Sequence, residues 1–161
     1  MSCLIRPPRT EDAPAISLLA HQLGYPQPAG AIAARLAGID RLPGQAVFVA
    51  EDAAGRVIGW TQVCAMRHLL TDPYAEIVAL VVEETARGRG TGRRLLARAT
   101  AWAADEGFDI LRLHTNIVRE RAHRLYERLG FAREKTQYVY RSGVTAHPAW
   151  EPRDGSDDSL A

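Results

Sequence analysis

Apolar positions along the chain recur at two spacings, and the changes between them mark out its elements. Leu4 to Arg6 is a short strand stopped by Pro7-Pro8, after which Thr10 is placed to cap a helix with Glu11 and Asp12 in its first turn. That helix runs to about Leu23, with Ile16, Leu19, Ala20 and Leu23 three and four residues apart and Gly24 at the C-terminal cap. A second helical stretch, Ala29 to Ala37, follows the loop Tyr25-Pro26-Gln27-Pro28. Gln45 to Glu51 and Val57 to Met66 are β-rich runs joined by a hairpin-type turn, Asp52 to Arg56, which predicts an antiparallel pair. Ala75 to Val82 carries an unbroken aliphatic core, Ile77 to Val82, as expected of a strand buried on both faces at a sheet centre. Gly92 to Glu106 returns to helical spacing through Leu95, Leu96, Ala99 and Trp102 and ends at Gly107. Asp109 to Thr115 reads as a strand, Glu120 to Leu129 as a helix closed by Gly130, and Thr136 to Arg141 as a last strand.

The order is mixed α/β, with no internal repeat. From Gly143 onward the composition is too polar to build a core, so residues 1–142 read as one domain and 143–161 as a flexible C-terminal tail. A length of 161 residues suits a single domain with one core. Net charge is +1, so no overall field draws in nucleic acid or an anionic membrane, and any attraction for anions is local. Cys3 and Cys64 are too few for a disulfide framework and lack zinc-site spacing, and no aliphatic run is long enough to span a bilayer. These features predict a cytoplasmic protein without a metal.

The segment with the most chemistry is Val81-Val82-Glu83-Glu84-Thr85-Ala86-Arg87-Gly88-Arg89-Gly90-Thr91-Gly92-Arg93-Arg94, a buried strand passing through glycines into a helix. Glycines let backbone N–H groups converge on a phosphate, and a helix N-terminus adds a favourable dipole. Arg87, Arg89, Arg93 and Arg94 raise the local positive charge. A nucleotide P-loop is disfavoured because Arg93-Arg94 stands where lysine and a hydroxyl residue are required. A dinucleotide site is disfavoured because Asp109 begins the next strand instead of ending it. On its own, such a motif also fits a plain loop with a solvated arginine face.

Arg87-x-x-Gly90-x-Gly92 resembles the R/Q-x-x-G-x-G/A signature of the GNAT acetyltransferases, and Ala122 to Phe131 resembles that family's A-x-x-L/F-Y-E-x-x-G-F stretch downstream. The two motifs in this order are far more specific than either alone, and the resemblance runs from Leu4 to Arg141. It implies the GNAT fold: a twisted, mixed, mostly antiparallel sheet flanked by helices, with two splayed central strands here matched to Ala75–Val82 and Asp109–Thr115. It further implies acetyl-CoA as co-substrate, with the backbone of Leu80, Val81 and Val82 pairing with the pantetheine and the amides of Gly88, Arg89, Gly90, Thr91, Gly92 and Arg93 holding the pyrophosphate. Arg119 stands where many members place an asparagine that bonds the pantetheine, and Asn116 is the substitute. A homodimer through the last strands is common in families of this kind.

The activity implied is N-acetylation of a primary amine, on a small molecule or a peptide, by direct attack in a ternary complex. An alkylamine with pKa near 10.4 is less than about 0.1% neutral at pH 7, so a base is useful. Glu76 matches a glutamate used as base in some relatives, and His114, on the facing strand, is the second candidate. Tyr126 matches the family's general acid, and its phenol is suited to protonating a thiolate. A backbone N–H near Leu80 or Val81 suffices for the oxyanion. Cys64 has nothing beside it in sequence to activate it. Tyr25, His68, Asp72, Tyr74 and Tyr138 are candidate acceptor-site liners, and Asp72 with Glu76 gives a weak acidic bias. A catalytically silent acyl-CoA-binding module is the alternative. A nucleic-acid module is disfavoured by the charge balance and by the arginines' aliphatic neighbours.

Overall fold

A computed structural model of the chain describes residues 3–39 and 41–143; most of the tail expected at 143–161 lies outside the described residues. Strands β1 (Leu4–Arg6), β2 (Gln45–Glu51), β3 (Val57–His68), β4 (Thr71–Val82) and β5 (Leu111–Leu113) form one sheet in sequence order. Helices α1 (Ala13–Gln22), α2 (Ala29–Ile39), α3 (Thr91–Asp105) and α4 (Glu120–Arg128) surround it. The first four strands pair antiparallel, and β5 joins β4 in parallel after the chain crosses over through α3. A parallel partner requires such a crossover.

Side-chain alternation divides the sheet between two jobs. Phe48, Ala50, Val63, Ala75 and Ile77 join Leu95, Leu96, Ala99 and Ala103 of α3 in the main apolar cluster. Val47, Trp60 and Gln62 point the other way and line an open cavity beneath α1 and α2. Gly59 permits the tight approach on the packed face: a Cβ there would lie 2.8 Å from the Val81 carbonyl oxygen and 3.2 Å from Leu95 Cδ1.

Several details differ from the sequence reading. Strands β3 and β4 run further than expected and meet at a tight turn through Leu69 and Leu70, both fully exposed. Thr10 is not a side-chain cap; Arg9 occupies that position, ahead of a single 3-10 turn, and Asp12 Oδ2 accepts its N–H at 2.6 Å. The strand expected at Thr136–Arg141 does not form, and Tyr138, Val139 and Tyr140 are 88%, 94% and 90% exposed. Alternation suits a residue run to a pleat, but a strand also needs a neighbouring edge, and β5 is only three residues long.

The start of the fold is tied by one arginine. Arg6 Nη1 and Nη2 reach Asp12 Oδ2 and Oδ1 at 2.7 and 3.0 Å, and its Nε reaches Glu51 Oε2 at 2.7 Å. This joins β1 to the first helix and to β2. Burial alone would raise the Asp12 carboxyl, but the Arg6 guanidinium and the Arg9 N–H outweigh it and hold that carboxyl below its ordinary 3.8. A carboxyl depressed on folding stabilises above its unfolded pKa, and that contribution disappears as pH falls through the folded value. Asp12→Asn is therefore expected to cost about 3 kcal/mol at pH 7 in urea unfolding. The gap from the parent protein should close progressively as pH falls below 3.8. A gap independent of pH would show that the pair contributes nothing through charge.

Candidate functional site

The site begins with a defect in the sheet. Gln62 of β3 opposes Ala79 of β4 and Val63 opposes Ile77, so Val78 is an extra residue bulged out of the ladder. A bulge bends its strand and re-aims the residues beyond it. Strand β4 pairs with β5 only over Ala75–Ile77 against Leu111–Leu113, and the remaining residues, Val78 to Val82, keep one backbone edge without a strand partner. Thr61, fully buried, donates its hydroxyl to the Ala79 carbonyl at 2.8 Å and so fixes the backbone just past the bulge.

That free edge leads into the glycine-rich turn. Gly88 and Gly90 adopt φ of 78° and 83°, conformations that cost a side-chain-bearing residue appreciable strain. Gly90 is the N-cap residue of α3, whose first turn is Thr91-Gly92-Arg93. Gly92 closes against Val82 and Leu125, where a Cβ would meet their methyl carbons at 3.6 and 3.7 Å. Arg87 Nε donates to the Val82 carbonyl at 3.0 Å and its Nη1 lies 3.3 Å from Glu84. This arginine shapes the turn, while Arg89 and Arg93 are exposed.

The other side of the free edge opens on a cavity of about 640 Å³. Val78, Ala79 and Leu80 form its floor, His114, Thr115 and Asn116 one wall, and Ala122 and Tyr126 of α4 another. Both candidate bases come together here. His114 Nδ1 lies 3.3 Å from Glu76 Oε1, and only His114 of the two lines the cavity. Tyr126 stands edge-on to Phe131, and burial raises its phenol above the ordinary 10, partly offset by the charge of Arg119. It therefore keeps its proton throughout the neutral range.

The family model described as "Acetyltransferase (GNAT) family" matches residues 13–131. The chain belongs to the GNAT acetyltransferase family. A mycothiol acetyltransferase of Thermobispora bispora is 34% identical over 96 residues, covering 58% of this chain but 32% of that protein, so the chain spans about a third of that relative's length. An aminoglycoside N(6')-acetyltransferase type 1 of Serratia marcescens is 29% identical over 104 residues, 62% of this chain and 70% of that protein. Among solved structures, aminoglycoside N-acetyltransferase AAC(6')-Iy in complex with CoA superposes with a TM-score of 0.77 at 22% identity, over 87% of this chain and 94% of that one. It shares the fold.

Within this GNAT domain, the position where many members carry asparagine does different work. Arg119 Nη2 donates to the Leu23 carbonyl at the end of α1 and ties α4 across the cavity. The Asn116 side-chain oxygen accepts the N–H of Val118 at 3.1 Å, although the residue does line the cavity. Burial pushes the Cys64 thiol up, opposed by its Gln62 contact and reinforced by the nearby Glu76, so it stays protonated. Of the expected acceptor-site liners, Tyr25 faces the cavity. His68 and Tyr74 instead pack on each other with ring centroids 5.6 Å apart, and neither Asp72 nor Tyr138 lines it. The sequence reading expected the first two helices to line the acceptor pocket without naming residues of the second, and it missed Trp60, Gln62 and Gln45. Only the alternation along β2 and β3 hinted at them, since a polar Gln45 and Gln62 among apolar neighbours implies a shared non-core face.

Replacing Arg119 by methionine removes its bond to Leu23 while keeping the aliphatic stem. Chemical denaturation should show a loss of about 1.5–3 kcal/mol, the range for a hydrogen bond to a charged group. An unchanged midpoint would mean that the tie carries no load.

Proposed function

We propose that the chain transfers the acetyl group of acetyl-CoA directly to a primary amine of a small molecule, with both substrates bound at once. One observation carries the reading: the unpaired edge of β4 connects the glycine turn to a cavity lined by His114, with Glu76 3.3 Å from its Nδ1, and by the half-buried Tyr126. The pantetheine would lie along Leu80–Val82 as a substitute strand. Amides from Gly88 to Arg93 would take the pyrophosphate at the start of α3.

Because His114 reaches the cavity and Glu76 does not, the two divide the work. Glu76 positions the ring through Nδ1, leaving Nε2 to receive the amine proton. The amine nitrogen attacks the thioester carbon, and a backbone N–H of the free β4 edge stabilises the oxyanion. The C–S bond then breaks and the departing thiolate takes the proton of Tyr126. Solvent exchange returns a proton to the phenolate and removes one from the imidazolium. No acyl-enzyme is required, and the protonated Cys64 is not a nucleophile.

At about 100 times its dissociation constant, acetyl-CoA should stabilise the fold by about 2.7 kcal/mol in thermal unfolding. With an accepted amine, His114→Ala and Tyr126→Phe should each lower kcat about 100-fold, and Glu76→Gln less. Since Tyr126 is raised above 10, kcat/KM should rise with pH as the amine deprotonates and show no descending tyrosine limb below pH 10. Failure of acetyl-CoA to stabilise the protein refutes the reading. Full activity in Tyr126→Phe refutes the assigned acid.

A further inference from the structure

Helix α2 is built almost entirely of apolar residues, Ala29-Gly30-Ala31-Ile32-Ala33-Ala34-Arg35-Leu36-Ala37-Gly38-Ile39, with Arg35 its one charge. None of its 11 residues is buried. A helix this apolar ordinarily hides at least one face. Here Ile32, Leu36 and Ile39 line the cavity, opposite Val47 and Trp60 of the sheet. The face left uncovered by protein is thus one wall of the acceptor space. Two guanidiniums, Arg35 and Arg119, line that space and no aspartate or glutamate does among the described residues, the Glu76 carboxylate lying behind His114 at 3.3 Å from its Nδ1. Arg119 is already tied to Leu23, whereas Arg35 makes no hydrogen bond or ion pair among the described residues.

Resting on the acetyltransferase reading above, we propose that the acceptor is an amine on an apolar, aromatic-sized body that carries a carboxylate or comparable anion, and that Arg35 is the residue that selects the anion. The body completes the burial that α2 lacks, and removing that area from water favours binding. The anion meets the Arg35 guanidinium, which lines the cavity and has no partner among the described residues, suited to a carboxylate in forked geometry. A polycationic acceptor would face both guanidiniums with no carboxylate lining the cavity among the described residues, an arrangement that disfavours it. This replaces the weak acidic bias expected from Asp72 and Glu76, neither of which lines the cavity.

Free-thiol release from acetyl-CoA is measured with phenylalanine, phenethylamine, spermidine and kanamycin, after thermal unfolding has established acetyl-CoA binding. The expected order in kcat/KM is phenylalanine about 10-fold above phenethylamine, with spermidine and kanamycin at least 100-fold lower. In Arg35→Gln the ratio of phenylalanine to phenethylamine should fall to about one, and Arg35→Lys, which keeps the charge but not the fork, should restore part of it. The proposal is overturned if a polycation is preferred, if no apolar amine is turned over by a protein that binds acetyl-CoA, or if Arg35→Gln leaves the ratio intact. Absence of acetyl-CoA binding would instead refute the underlying reading, so the two failures are told apart.

Discussion

The arrangement depends on one interruption: the parallel ladder between β4 and β5 stops after three residue pairs. Unpaired backbone beside a packed core is costly unless something satisfies it. The chain does not close the gap with its own residues, because the bulge at Val78 turns β4 away and β5 ends at Leu113. The gap sits between two well-anchored supports. On one side β4 is held along most of its length by β3, and on the other α3 locks the sheet through Leu95 and Ala99, both at 0% exposure. A rigid frame around an unsatisfied edge is a receptor for an extended ligand that can act as a strand.

This explains which parts of the protein were legible in its residues. Each of the helices α1 to α4 was anticipated, because glycine at positions 24, 107 and 130 and three-and-four spacing are local signals; their bounds moved, with α1 starting at Ala13, α2 ending at Ile39 and α3 starting at Thr91. The glycine turn was also legible, since positive φ at Gly88 and Gly90 needs glycine and the residues announce it. The bulge at Val78 was not. Ile77 to Val82 reads as uniform aliphatic strand, and nothing in that run distinguishes the residue that leaves the ladder, because bulging is decided by register with β3. The run at Thr136–Arg141 failed for the complementary reason: its pattern is that of a strand, but pattern does not supply an edge.

The candidate chemistry divides along the same line. Tyr126 could be matched through a local motif, whereas Glu76 and His114 stood as separate candidates because their sequence separation hides their contact. The parallel register, Glu76 opposite Arg112 and Ile77 opposite Leu113, places His114 one residue beyond the last pair. At that point the strands diverge and a side chain can turn into the cavity. Their 3.3 Å approach is thus a product of the same ladder whose end opens the site.

The acceptor side obeys a different constraint from the acyl-CoA side. Backbone contacts, such as those proposed for acetyl-CoA along β4, tolerate changes of side chain, and the fold itself persists at 22% identity. Selection of an acceptor must use side chains, and in the proposed site these come from α1, α2 and the outward-facing residues of β2 and β3 that line the cavity. Those surfaces lie outside the α3 cluster, which draws on the opposite faces of the same strands. Alternation therefore lets exposed parts of the acceptor wall change without disturbing the α3 cluster, although its buried members Ile16, Ala20 and Val47 also contribute to stability. On that argument the proposed specificity rests on α2, none of whose residues is buried and whose Ile32, Leu36 and Ile39 line the cavity.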